Sequence, residues 1–225
     1  MNAAARGAHR LRVWDLPLRL FHWLLVALFA TSWISAELGG NAMQVHQWSG
    51  VSVLTLIVFR IAWGFLGGTH ARFASFVRSP AAALAYANAL RHGKQQRFLG
   101  HNPLGGWMVL ALLLSLSIQA GTGLFANDDI MIEGPLAARV SKETSDLMTL
   151  IHETNFYVLL ALVALHVLAA LFYLLVKREN LIVPMVTGNK LMQEKDLPAA
   201  EGGSPWLAAL LLALSGGAVW LLLRG

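Results

Sequence analysis

Five runs of about twenty mostly apolar residues leave this chain little choice of environment. Crossing the hydrocarbon core of a bilayer takes about 20 such residues in a helix. Within that core only a helix or a closed barrel satisfies its own backbone. The runs cover residues 16–36, 46–66, 104–126, 147–176 and 205–223. Composition agrees: 56% of the 225 residues are hydrophobic and only 13% are charged, about half the charged share of a soluble domain. The first run is not a cleavable signal, because Trp23, Phe29 and Trp33 continue where a small-residue cleavage site belongs. The expected fold is all-α: a polytopic four-helix membrane bundle followed by an additional C-terminal transmembrane helix.

Charge sets the topology. Basic residues gather before the first run (Arg6, Arg10, Arg12, with Arg19 just inside it), between the second and third (Arg72, Arg78, Arg91, Lys94, Arg97) and after the fourth (Lys177, Arg178). The other two connections are acidic: Glu37 in one, and Asp128, Asp129, Glu133, Glu143 and Asp146 against Arg139 and Lys142 in the other. Lys and Arg stay on the cytoplasmic side, so the expected arrangement is an inner-membrane protein with its N-terminus cytoplasmic and its C-terminus outside. Trp14, Trp63, Trp107 and Trp206 mark one interface, and Trp33, Trp48 and Trp220 the other. Ser79-Pro80 opens a short surface helix to about Leu90, and the polar segment 184–205 reads as a flexible tether. A basic face interleaved with aromatics, which nucleic-acid binding needs, is missing from this pattern.

There is no cysteine, which excludes disulfides, thiolate clusters and covalent c-type haem. Histidine is the informative residue. His9, His70, His92 and His101 lie in or beside basic segments and read as solvated surface groups. His22, His46, His152 and His166 lie within or at the edge of the apolar runs, where an ionisable group is a functional hypothesis by default. Fourteen residues separate His152 from His166; at about 100° per residue they share nearly one face, about 21 Å apart along the axis. Depth then pairs His22 with His166 and His46 with His152. The competing reading of each is an imidazole hydrogen-bonded across helices.

Two donors per level are too few for zinc, and Phe156 stands where a zinc-protease helix opened by His152-Glu153 needs its second histidine. A haem brings four equatorial nitrogens and asks for two axial ones. Gly50, one turn below His46, and Ala120, Gly121 and Gly123 would let a flat ligand approach closely; plain helix packing accounts for them equally well. Arg60 lies near the depth of His22 in an apolar run. It pairs with an anion such as a haem propionate or snorkels to the interface.

The segment Val13-Trp14-Asp15-Leu16-Pro17-Leu18-Arg19-Leu20-Phe21-His22-Trp23 resembles the opening signature of the prokaryotic cytochrome b561 family, which includes the b-type cytochrome subunit of nickel–iron hydrogenases. The likeness continues through His46-Gln47-Trp48-Ser49-Gly50, Trp63-Gly64-Phe65, His101-Asn102-Pro103-Leu104-Gly105-Gly106-Trp107 and Gly121-Thr122-Gly123-Leu124-Phe125 to the two-histidine fourth helix. The resemblance implies a dihaem four-helix bundle with two b haems held by His22, His46, His152 and His166. It also implies electron transfer between an outer partner, a periplasmic c-type cytochrome or hydrogenase-like module, and the quinone pool. A quinone would lie near His101, Asn102, Gly105 and Gly106, with Arg60; Asn102 equally reads as the cap before Pro103.

The sequence thus points to a dihaem domain over 1–188, a cytoplasmic linker over 189–204 and a fifth helix over 205–225, which has no histidine and departs from the family's four-helix plan. The rivals are a stand-alone quinone-reducing oxidase of a small donor such as superoxide, with Arg139 and Lys142 attracting the anion, and a transporter or purely structural bundle.

Overall fold

A computed structural model describes residues 9–94, 98–130, 132–192 and 201–225. Arg6, Arg97 and the middle of the segment read as a tether, 193–200, lie outside them. Five helices are long and apolar enough to cross a membrane: α1 (Leu16–Leu38), α2 (Met43–Leu66), α5 (Pro103–Gly123), α6 (Lys142–Leu175) and α8 (Pro205–Arg224). Three short helices, α3 (Phe73–Phe76), α4 (Pro80–Arg91) and α7 (Ile182–Thr187), two single 3₁₀ turns (Gly40–Ala42 and Ala137–Arg139) and one two-stranded ribbon complete the described elements.

The helix ends follow local chemistry. Asp15 caps α1, its Oδ1 accepting the Leu18 amide at 2.8 Å. Gly39 and Gly40 stop that helix with φ of 61° and 52°, a left-handed conformation that costs glycine least. Asn102 caps α5 ahead of Pro103, accepting from the Gly105 amide at 2.7 Å. Ser141 caps α6, accepting from the Thr144 amide at 3.3 Å. This cap starts α6 five residues before the expected position, and its 34 residues span about 51 Å, well beyond a hydrocarbon core of about 30 Å. The short helix expected from Ser79-Pro80 is α4, with the Ser79 hydroxyl accepting from the Ala82 amide.

Two compact units divide the chain, and each long helix contributes to both. One unit comprises Met1–Leu20, Ala62–Val109 and His166–Ala208. Here β1 (His9–Arg12) pairs antiparallel with β2 (Asn189–Met192), Arg10 opposite Leu191 and Arg12 opposite Asn189. Asp15 is 5% exposed, and its Oδ2 accepts from Trp63 Nε1 at 3.3 Å, Gly68 N at 3.2 Å and Gly203 N at 3.3 Å. The flexible tether is therefore corrected where it is described. Residues 182–192 form α7 and β2, and the Glu201 carbonyl accepts from the Thr69 amide while the Glu201 amide donates to Thr69 Oγ1. A nearly buried ion pair joins Lys190 to Glu179 at 2.7 Å, and Lys190 also donates to the Phe98 carbonyl. Tyr86 and Tyr173 share a 2.7 Å hydrogen bond; burial pushes the Tyr86 phenol up from its ordinary value.

The other unit comprises Phe21–Ile61, Leu110–Leu165 and Ala209–Gly225. Its core is Val53 and Ile57 of α2, Leu116 of α5 and Leu159 of α6, with Leu25, Leu28 and Phe29 of α1 packed against them. Large apolar side chains such as Leu114, Tyr157 and Leu221 face outward, each more than 60% exposed. A water-soluble monomer does not expose so much apolar surface; a lipid-facing one does.

Candidate functional site

His46 stands in the first turn of α2 and His152 in the third turn of α6. Their ring centroids are 6.1 Å apart and their planes cross at 83°. Each Nδ1 meets a backbone carbonyl at 2.9 Å: Ser32 of α1 for His46, Gln119 of α5 for His152. A carbonyl only accepts, so each Nδ1 carries the proton and donates it, which leaves each Nε2 lone pair for a metal. With a metal–imidazole bond of about 2 Å and a ring radius of about 1.1 Å, two ligands on opposite sides of one metal put their centroids about 6 Å apart. The observed spacing fits that arrangement.

Polar side chains support both acceptors. Ser32 Oγ and Ser49 Oγ are 2.6 Å apart, and Ser49 donates to the His46 carbonyl at 2.9 Å. Beside His152, Thr122 Oγ1 is 3.4 Å from Nδ1. Asn155, buried on α6, donates to the Gln119 side chain at 2.7 Å and to the Ser115 carbonyl at 3.0 Å, and accepts from Ser115 Oγ at 3.1 Å. A Cβ on Gly123 would stand 2.8 Å from His152 Cε1, whereas one on Gly50 or Gly121 would meet nothing within 4 Å.

The described residues contain no group of three or more His, Cys, Asp or Glu able to hold a metal ion. The donor set of this unit therefore fits a group that brings its own equatorial donors. Haem is such a group, and the open surroundings of Gly50 and Gly121 suit a flat ring.

The remaining expected residues are placed as follows. His22 is half-buried and Arg60 is 2% exposed, both in the unit that holds His46; His166 is exposed and belongs to the other unit. Asn102 spends its amide on the protein: Oδ1 caps α5 and Nδ2 donates to Tyr173 Oη at 3.0 Å. The expected cap at Asn102 is therefore present, and these two bonds use one of the amide's two N–H donors and one of its two oxygen lone pairs. His70 and His101 are not solvated surface groups. Both pack on Trp14, at 6.4 and 4.8 Å between centroids, and burial holds the His70 imidazole below its ordinary value.

The loop between α5 and α6 is stitched to their ends. The Asn127 amide nitrogen donates to Thr149 Oγ1, its Nδ2 donates to Ser145 and Asp146, and Gln47 donates to the Glu133 carbonyl. Lys142 bridges Asp129 and Asp146, and Arg139 donates to the Leu223 carbonyl. Lys142 is thus paired with two carboxylates, whereas Arg139 keeps its charge and spends a donor on a neutral carbonyl. Sequence reasoning assigned nothing to Ser32, Gln119 or Asn155. Their signal was present as polar residues inside apolar runs.

A helical, multi-pass chain with imidazole donors set among its spans has the architecture of a membrane cytochrome. The chain belongs to the prokaryotic cytochrome b561 family, whose model matches residues 13–188. Membership implies a b-type haem and electron transfer in the membrane. The chain is similar to two proteins named as probable Ni/Fe-hydrogenase B-type cytochrome subunits. The protein from Rhizobium leguminosarum bv. viciae is 25% identical over 82% of this chain and 90% of its own length. The protein from Azotobacter chroococcum mcd 1 is 26% identical over 81% and 89%. No solved structure matches the chain.

Proposed function

We propose that this chain is a dihaem cytochrome b of the bacterial inner membrane that passes electrons between a redox partner on the outer face and the quinone pool. The observation that carries this reading is the His46–His152 pair, with a 6.1 Å spacing and both Nδ1 atoms committed to carbonyls. Bound haem supplies one-electron iron chemistry; the chain holds it, orients it and excludes water. His46 and His152 are assigned to the haem on the outer side, and His22 and His166 to the cytoplasmic one by their spacing in sequence. Arg60, a cation buried on α2 near the depth of His22, is assigned to a propionate. Gly50 is assigned to the wall beside the outer ring. The quinone is assigned to the cytoplasmic end, with Asn102 holding the start of α5.

The names of the two relatives favour a hydrogenase-like module as the outer partner; a periplasmic c-type cytochrome is the other candidate. The basic residues beside α1, α2 and α6 favour a cytoplasmic N-terminus. In this reading residues 1–188 are the dihaem domain, 189–204 the linker and 205–225 an added helix that helps hold the partner.

The test is a reduced-minus-oxidised spectrum with haem stoichiometry on the purified chain and its four His→Ala variants. Two haems per chain are expected, each variant losing one. Two intact centres in His166→Ala overturn that ligand, and a haem-free wild type overturns the function.

A further inference from the structure

We infer that Asn155 is a positioning residue for the outer haem: it fixes the carbonyl that orients His152 and thereby lowers that centre's potential. The inference rests on the haem reading above and extends it to a residue that touches no metal. Asn155 follows His152 by three residues, about 4.5 Å along α6. It is 9% exposed, deep in a span where an unsatisfied amide is costly. Three hydrogen bonds occupy its side chain, and all three reach α5, at Ser115 and Gln119. Gln119 is the residue whose backbone carbonyl receives the His152 Nδ1 proton. One amide thus clamps the α5 turn that sets the ring's tautomer and direction.

The chemical consequence has a definite sign. A histidine that donates its far N–H to a carbonyl is a more basic metal ligand. A more basic ligand favours the ferric over the ferrous state, so the clamp holds the potential down. Freeing the Gln119 turn lengthens the 2.9 Å bond and lets the ring rotate away from its 83° crossing with His46. A helix–helix tie without this role would affect stability and leave the potential unchanged.

The experiment uses the full-length membrane protein. Asn155→Leu and Gln119→Ala are compared with Ser117→Ala, whose hydroxyl bonds only the Leu113 carbonyl of its own helix. Haem per chain, a redox titration and the low-spin ferric resonance, whose anisotropy reads the angle between axial imidazole planes, are measured. The centre missing in His152→Ala identifies the outer haem.

Asn155→Leu and Gln119→Ala should keep two haems, shift the outer centre about tenfold toward the ferrous state, which is about 59 mV upward for one electron, and change its resonance. Ser117→Ala should match wild type. Unchanged potential and resonance in a two-haem Asn155→Leu overturn the inference while leaving the dihaem reading standing; a haem-free wild type removes both. If Asn155→Leu does not fold, Gln119→Ala, which removes one acceptor of the clamp and keeps the carbonyl, decides by the same readouts.

Discussion

Adding one methyl group at Gly123 tests the proposed outer centre without replacing either histidine. A Cβ there would lie 2.8 Å from Cε1 and 3.1 Å from Nδ1 of His152. Carbon atoms rest at about 3.5–4.0 Å, so the imidazole must retreat from α5 by about 0.7 Å. The carbonyl holding its Nδ1 is also on α5, at Gln119, so the same retreat opens that bond from 2.9 Å to about 3.6 Å, where a hydrogen bond no longer exists. Overpacking of this kind costs about 1–3 kcal/mol, and the lost bond adds about 1 kcal/mol. A displacement of about 0.7 Å also exceeds the roughly 0.5 Å tolerance of a preorganised site. Gly123→Ala should therefore lose one haem or raise its potential, leave the other centre alone and lower the thermal midpoint. Gly216→Ala is the control, since its Cβ would meet Thr55 at an ordinary 3.9 Å. Haem per chain, redox titration and thermal unfolding in detergent are the assays. A Gly123→Ala protein equal to wild type in all three refutes the reasoning.

Gly50→Ala probes the macrocycle itself. Its methyl group meets no protein atom within 4 Å, so in the bare chain it should stabilise α2 by about 1 kcal/mol; with haem beside His46 it should instead reduce haem retention, and full retention of both haems argues against a ring at Gly50. Lys190→Met should cost about 3–5 kcal/mol by leaving Glu179 buried and ionised, whereas Lys190→Met with Glu179→Leu should recover most of it; thermal midpoints measured together decide, and equal losses would refute the buried pair. His70 is held neutral by burial, so its contribution is present above the unfolded value of about 6.5 and is lost as pH falls through its lower folded value. His70→Phe should flatten that acid limb of the stability profile, and an unchanged limb would exclude His70 as its source.

The fold was legible because a bilayer asks one question of a sequence, whether about 20 residues in a row are apolar, and five runs answer it. Boundaries were less legible where polar residues continue a helix. The first turn of α6, Lys142-Glu143-Thr144-Ser145, carries no hydropathy signal, and only the Ser141 cap marks it. Gly202-Gly203 reads as flexible, yet Gly203 lies too close to the Trp63 ring for any side chain and gives its amide to Asp15. The glycine serves close approach, which composition does not distinguish from mobility. In the candidate site the imidazoles were legible as ionisable groups in apolar helices. Their acceptors were not, because the Ser32 and Gln119 carbonyls are backbone atoms that every residue possesses.

The polar residues inside the spans separate into two kinds, and the separation bears on whether the site is incidental. Thr31, Ser52, Thr55, Ser117 and Ser215 each return a hydroxyl to the carbonyl four residues earlier in their own helix. Such groups are satisfied locally and specify nothing about neighbouring helices. Ser32, Ser49, Ser115, Gln119 and Asn155 instead bond across helices, in two groups that adjoin His46 and His152. Hydrogen bonds between membrane helices contribute little apiece, about 0.6 kcal/mol on average, so five polar side chains are a poor means of holding a bundle that apolar packing already holds. They are an effective means of fixing two rings. Their concentration around one pair of imidazoles, with ring centroids 6.1 Å apart, favours the proposal that this pair holds a haem over the reading of two histidines placed there by helix packing alone.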